Sequence, residues 1–250
     1  MGSQSLGAAL VALIAAHGAF AQSSPQGDAW QSIAKLPDFS GVWEITFGPG
    51  GFGGGEPPSF TPPYAARVKE YQDAQRSGAI EDTPAANCVP NGMPSIMTQP
   101  YPIELLLTPG KVTILIEAYS QWRQIFTDGR AHPDDPDLTF NGHSIGRWEG
   151  EALVVDTVGF TTDTRLGNYA YPHSDKMRIV ERMRLASPDT LEIETTVTDP
   201  EALTKPWTTT RRYGRHRDWT IAEYVCQQNN RNSFTEDGKA EINLEHEVEQ

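Results

Sequence analysis

From Ile103 onward the chain is a succession of short runs in which apolar and polar residues alternate, each closed by turn-forming residues. Alternation of period two places one set of side chains on each face of an extended strand, so the runs 103–107, 111–118, 121–127, 143–148, 152–158, 176–185, 190–198, 207–214 and 219–226 predict strands. An earlier run, Asp38 to Phe47, predicts one more. Thr108-Pro109-Gly110, Glu149-Gly150 and Ser187-Pro188-Asp189 supply turn chemistry between them. Consecutive strands joined by tight turns predict an all-β fold, an antiparallel meander. With no βαβ rhythm, closure into a barrel of about 8–10 strands is expected, because closure removes exposed edges. One short N-terminal helix is predicted over 64–77, with Pro63 at its start and Gly78 just past its end. The preceding Gly/Pro stretch 48–63 reads as a loop. Its glycines at 48, 50 and 53 match a dinucleotide-binding spacing, but Pro49 interrupts them and no helix opens behind them to hold a pyrophosphate.

The flanks divide the chain further. Leu6 to Phe20 is apolar and alanine-rich and runs into Ala19-Phe20-Ala21 before Gln22, the pattern of a signal peptide over 1–21 cleaved near Ala21-Gln22, although Met1 to Ser5 contains no Lys or Arg. A polar lead-in over 22–37, a single barrel domain over 38–231 and an acidic tail over 232–250, loosely docked as a helix or disordered, complete the expected organisation. No later apolar stretch approaches the roughly 20 residues of a spanning helix, so no membrane span is expected and the predicted location is periplasmic or secreted. Export makes a Cys88–Cys226 disulfide the natural pairing of the two cysteines, which lack C-x-x-C spacing. It would tie the loop before the central strands to the last strand and contribute about 4–5 kcal/mol in the chain-entropy model. The net charge of −13 repels phosphate backbones, so no nucleic-acid partner is expected. The local basic cluster Arg211, Arg212, Arg215, His216 and Arg217 reads as a strand end neutralising nearby acids.

Two resemblances add to this. Gly41-x-Trp43 on the first strand resembles the entry signature of lipocalin-like barrels, which implies a Trp plugging one end and packing on an Arg from a late strand, with Arg211 and Arg212 as candidates. The runs Thr127-Asp128-Gly129-Arg130-Ala131-His132-Pro133, Gly142-His143-Ser144-Ile145-Gly146-Arg147-Trp148-Glu149-Gly150 and Leu153-Val154-Val155-Asp156-Thr157 resemble a large group of exported bacterial proteins of unassigned function. That likeness spans roughly 88–226 and implies export and a shared fold, with no catalytic residue carried over.

Candidate chemistry concentrates between Trp122 and Arg182, where His132, His143 and His173 fall among carboxylates. Imidazole titrates near neutrality, so histidines beside carboxylates suit proton transfer. Strand alternation puts Glu181 on the apolar face of 177–185, and Asp156 shares a face with Val154 and Val158. The literal G-x-S-x-G at 142–146 runs into a hairpin instead of a helix, which excludes a serine-hydrolase elbow. The histidines lack paired ligand spacing, so no metal is expected. The expected pocket is lined by Trp122, Phe126, Met177, Met183 and Trp219, with Tyr171, His132 and Arg130 at its mouth and a small hydrophobic or aromatic molecule as its partner. Within it the leading expectation is a cofactor-independent acid/base enzyme of lyase, isomerase or dehydratase type. His173 or His143 is then the base, Glu181 the acid, Asp156 the orienting carboxylate and Arg130 the anchor of an anionic substrate group. The alternatives are a non-catalytic periplasmic protein that captures a hydrophobic ligand, recognisable by histidines pointing to solvent with Glu181 and Asp156 locked in ion pairs, and an envelope interaction protein using the loop 48–63 and the tail.

Overall fold

A computed structural model of the chain describes residues 25–47, 56–78, 88–167, 170–226, 232–234 and 240–242; the expected signal peptide lies outside them. Nine strands form a closed barrel in sequence order: β1 (Val42–Thr46), β2 (Ile103–Thr108), β3 (Lys111–Ile116), β4 (Gln121–Phe126), β5 (His143–Glu149), β6 (Ala152–Val158), β7 (Arg178–Ser187), β8 (Thr190–Thr198) and β9 (Trp207–His216). Pairing of β9 with β1 closes the ring, so neither strand is left with an open edge. The expected alternation holds on β7, where Ile179, Glu181 and Met183 are buried and Arg178, Arg182 and Arg184 are exposed.

One pair departs from the antiparallel meander. β4 and β5 run parallel, with Ile125 opposite Ser144 and Phe126 opposite Ile145. A parallel pair needs a crossover of a dozen or more residues, and segment 127–142 supplies it. The crossover runs back along the outside of the barrel, held by the bridge between Thr139 and Phe160.

Trp43, fully buried, faces Arg215 across the β1–β9 ladder, and the Arg215 guanidinium lies 4.4 Å from the indole centroid. Arg215 therefore occupies the place for which Arg211 and Arg212 were the sequence candidates. Arg211 points into the barrel, and Arg212 pairs outside with Glu192 at 2.9 Å. The Arg215 side chain is only 1% exposed and is anchored by Asp38 at 3.0 Å, while the Trp43 indole N–H donates to the Phe39 carbonyl at 3.0 Å. Gly41, at φ 101°, is required here: a Cβ would meet the Arg215 stem at 3.4 Å and the backbone would be strained. In the rest of the basic cluster Arg217 pairs with Asp189 at 2.9 Å, and the His216 ring faces Glu44 at 3.2 Å.

Outside the barrel, α1 (Pro25–Ile33) occupies part of the predicted lead-in, and α2 (Pro62–Arg76) begins two residues before the predicted helix, its prolines at the first two positions where no amide partner is lost. Segment 219–226 is not a strand. It docks on the turn after β3 through polar contacts, Ala222 N–H to Glu117 and Tyr224 N–H to Ser120 Oγ, because β9 has already closed on β1 and no edge remains for it. The Cys88–Cys226 disulfide is present and joins this segment, not a strand, to the approach to β2. In the acidic tail, β10 (Asn232–Phe234) and β11 (Ala240–Ile242) pair antiparallel where a helix or disorder was expected.

Candidate functional site

The barrel wall separates two sites. The inner one is built on Arg123, which with Ile125 occupies the inward face of β4 and is 1% exposed. A buried guanidinium is tolerated only with partners. Arg123 Nη2 donates to Glu181 Oε2 at 2.5 Å and to Thr157 Oγ1 at 2.9 Å, and Nε donates to Ser144 Oγ at 3.2 Å. Ser144 and Thr157 also share a hydrogen bond at 2.9 Å, while Nη1 has no partner. Ser144 is thus an interior structural hydroxyl, in line with the exclusion of a nucleophile elbow.

Glu181 forms part of the wall of a cavity of about 330 Å3 at the end of the barrel where β9 begins, opposite in the barrel to the Trp43 plug. Register aligns Glu181, Thr195 and Thr209 in one row across β7, β8 and β9, with Arg211 and Ile193 in the next row. This polar row faces Met93, Met97 and Leu166, with Trp207 and Tyr171 at the side and Glu56 and Pro57 at the mouth. Trp207 is fixed by its indole N–H donating to the Glu56 carbonyl at 2.8 Å. The Tyr213 hydroxyl donates to the Met97 carbonyl, and burial, then the Glu181 charge, push its pKa up, so it stays protonated.

The outer site lies where the 127–142 crossover passes over β4 and β5, leaving a groove of about 510 Å3. Its floor is outward-facing Trp122, Gln124, Phe126 and His143, and its far wall is Pro133, Pro136 and Asn141. The His143 ring stacks on Phe126 with centroids 5.5 Å apart, and the Arg130 guanidinium carbon lies 3.9 Å from the centroid of the same Phe126 ring. His143 Nδ1 is 2.9 Å from His132 Nδ1, and His132 Nε2 is 3.7 Å from Asp156 Oδ2. Burial, then His132 and Arg130, push the His143 pKa below 6.5, so His143 is neutral at neutral pH. Asp156 is held by a fork from Arg178. Burial pushes its carboxyl up, but Arg178, helped by His132, more than offsets this and leaves it below its ordinary range.

No family model and no curated protein matches this chain.

The predicted residues are therefore not one constellation. Glu181 and Tyr171 belong to the inner cavity; Trp122, Phe126, Arg130, His132, His143 and Asp156 belong to the outer face. Met177 and Met183 are packed in the core, and Trp219 stacks on His216 at 3.6 Å away from both sites. Trp122, taken as a pocket lining, is 59% exposed, because β4 turns its aromatic face outward and its arginine inward. His173 is absent from the lining of either space. Its Nδ1–H donates to the Ser174 carbonyl at 2.7 Å and its Nε2 accepts from Thr164 at 2.6 Å, leaving neither nitrogen for a substrate. Burial lowers its pKa and keeps it neutral, and Asp199 locks the adjoining turn through Ser174. The guanidinium of Arg130 is occupied by Asp128. Among the described residues no three His, Cys, Asp or Glu converge as metal ligands. The site residues missed in the sequence are Arg123, Thr195, Thr209, Arg211 and Trp207. Their signal was the inward parity of β8 and β9, and that of β4 read with its aromatic face inverted.

Proposed function

We propose that the protein is a binding protein that takes a small hydrophobic or aromatic molecule bearing a hydroxyl or acidic group into the barrel cavity, in the periplasm or outside the cell. The observation that carries the reading is the composition of the cavity wall: a single polar row, Glu181, Thr195 and Thr209 with Arg211 beside it, set against thioether, aliphatic and aromatic surface. Such a wall orients one polar end of a ligand and buries the remainder. Glu181 in its ion pair with Arg123, and Asp156 in its pair with Arg178, supply the ion-pair half of the sign expected of a binding protein, while the other half is not met, His173 being buried instead of turned to solvent; held by Thr164 and Ser174, it is not available to act with Glu181 as base and acid. The disulfide and the signal-like N-terminus support export. No helix among the described residues is long and apolar enough to cross a membrane.

The test is calorimetric titration with 1-naphthol and 2-naphthoate, repeated on Thr209→Phe, which fills the polar row, and on Thr195→Val, which removes one hydroxyl. Saturable 1:1 binding that is abolished by Thr209→Phe and weakened several-fold by Thr195→Val is expected. Binding of equal strength in a folded Thr209→Phe variant, or no binding of either probe, refutes the reading.

A further inference from the structure

The geometry points to a second, chemically competent site on the outside of the barrel, in which His143 Nε2 removes a proton from a flat aromatic substrate lying against Trp122, with His132 and Asp156 as positioning residues. The inference is independent of ligand binding inside the barrel. Two facing Nδ1 atoms at 2.9 Å hold one proton between them, so one ring donates and the other accepts. Asp156 Oδ2 lies 3.7 Å from His132 Nε2, beyond hydrogen-bond distance, and its negative charge favours a proton on that nitrogen. His132 Nδ1 is then the acceptor, His143 Nδ1 the donor, and the lone pair of His143 falls on Nε2. His143 is part of the groove wall, and its ring is held by the face of Phe126.

The arrangement has the parts of an activated base: a neutral imidazole in an aromatic groove, a second imidazole to receive its other proton, and a carboxylate to stabilise the resulting cation. The charged groups around it are Arg130 and Asp128 on the crossover, paired to each other, Asp137 on the groove wall, Asp156 on β6 and Arg178 on β7. As His143 Nε2 takes the substrate proton, its Nδ1 proton passes to His132 Nδ1. The positive charge then resides on His132, facing Asp156, and the electron pair released stays on the substrate. Asn141, on the same groove, donates its side-chain amide to the Trp122 carbonyl at 3.2 Å and so fixes the wall beside the indole.

5-Nitrobenzisoxazole is a probe of the required shape. Loss of its ring C–H proton to the base forms the nitrile as the N–O bond breaks and the electron pair leaves on the phenolate oxygen, so no co-reactant is needed. The full-length protein is expected to accelerate this elimination at least about tenfold over the same concentration of free imidazole, with the rate falling to the imidazole level in His143→Ala. His132→Asn should lower kcat several-fold while leaving the KM for the probe unchanged, because it removes the acceptor of the His143 Nδ1 proton and no part of the groove wall; a purely structural role would change KM as well. Urea midpoints on each variant establish that it is folded. A wild-type rate no higher than imidazole, an unchanged rate in folded His143→Ala, or a rate that survives there and disappears in Thr209→Phe, which would put the base inside the barrel, overturns the proposal.

Discussion

Replacing Arg123 with Met tests whether the interior of the barrel is organised by a buried charge pair. Arg123 and Glu181 are each 1% exposed, and the guanidinium is the partner found for Glu181 Oε2. Removing one member of such a pair leaves the other charge in a poorly solvated place and typically costs about 3–5 kcal/mol. The double variant Arg123→Met/Glu181→Met leaves no charge behind. Ser144 and Thr157 keep their mutual hydrogen bond at 2.9 Å, and two side chains of suitable length fill the volume. It should therefore recover most of the loss, with a residual of about 1 kcal/mol for imperfect packing. The assay is urea unfolding followed by tryptophan fluorescence with the disulfide intact. The coupling energy comes from the four-member cycle with Glu181→Met alone. A single-variant cost below about 1 kcal/mol, or a double variant no more stable than the worse single, would refute the claim that the pair organises the interior.

Two further outcomes follow from features outside that pair. Cys88→Ser/Cys226→Ser should lose about 5 kcal/mol, the chain-entropy value for a sequence separation of 138, measured by urea unfolding; a loss below about 1 kcal/mol would show that the approach to β2 and the docked segment are held by their other contacts. Because burial lowers the pKa of both His173 and His143 in the folded protein, the unfolded chain binds more protons as pH falls below 6.5. Their contribution is fully present above 6.5 and is lost as pH falls toward the depressed folded values, so stability should decline over that interval and decline less steeply in His173→Asn. An unchanged slope in the variant would contradict this.

The barrel was legible because alternation of period two is a local property, and eight of the nine runs predicted from Ile103 onward are strands with bounds within two residues. What escaped was non-local. Segment 127–142 is long enough for a parallel crossover, yet its prolines and aspartates read equally as an extended hairpin loop. Alternation also divides a strand into two faces without saying which is inner. On β4 the faces are Trp122, Gln124 and Phe126 against Arg123 and Ile125, and hydrophobicity favours the first. Only Glu181, 58 residues away, makes the second face viable inside. On β6 both faces are largely buried, so Asp156 could not be assigned by its neighbours. Trp43 was legible as a plug, but its partner was displaced from Arg211 and Arg212 to Arg215 by the β1–β9 register, which the sequence does not contain.

The wall between the two sites is one strand thick, and they draw on consecutive residues: Trp122 and Arg123, His143 and Ser144, Asp156 and Thr157, the first of each pair outside and the second inside. The two sites are therefore written in interleaved letters. Substitution can alter one text and leave the other intact, so each site is free to diverge by point changes. Deleting or inserting a single residue within β4, β5 or β6 would exchange the letters, carrying an indole or imidazole into the interior and a hydroxyl or guanidinium out of it. A change of length is consequently expected to be tolerated only in the connections, and the 127–142 crossover is the stretch where it would reshape the outer groove without scrambling the inner one.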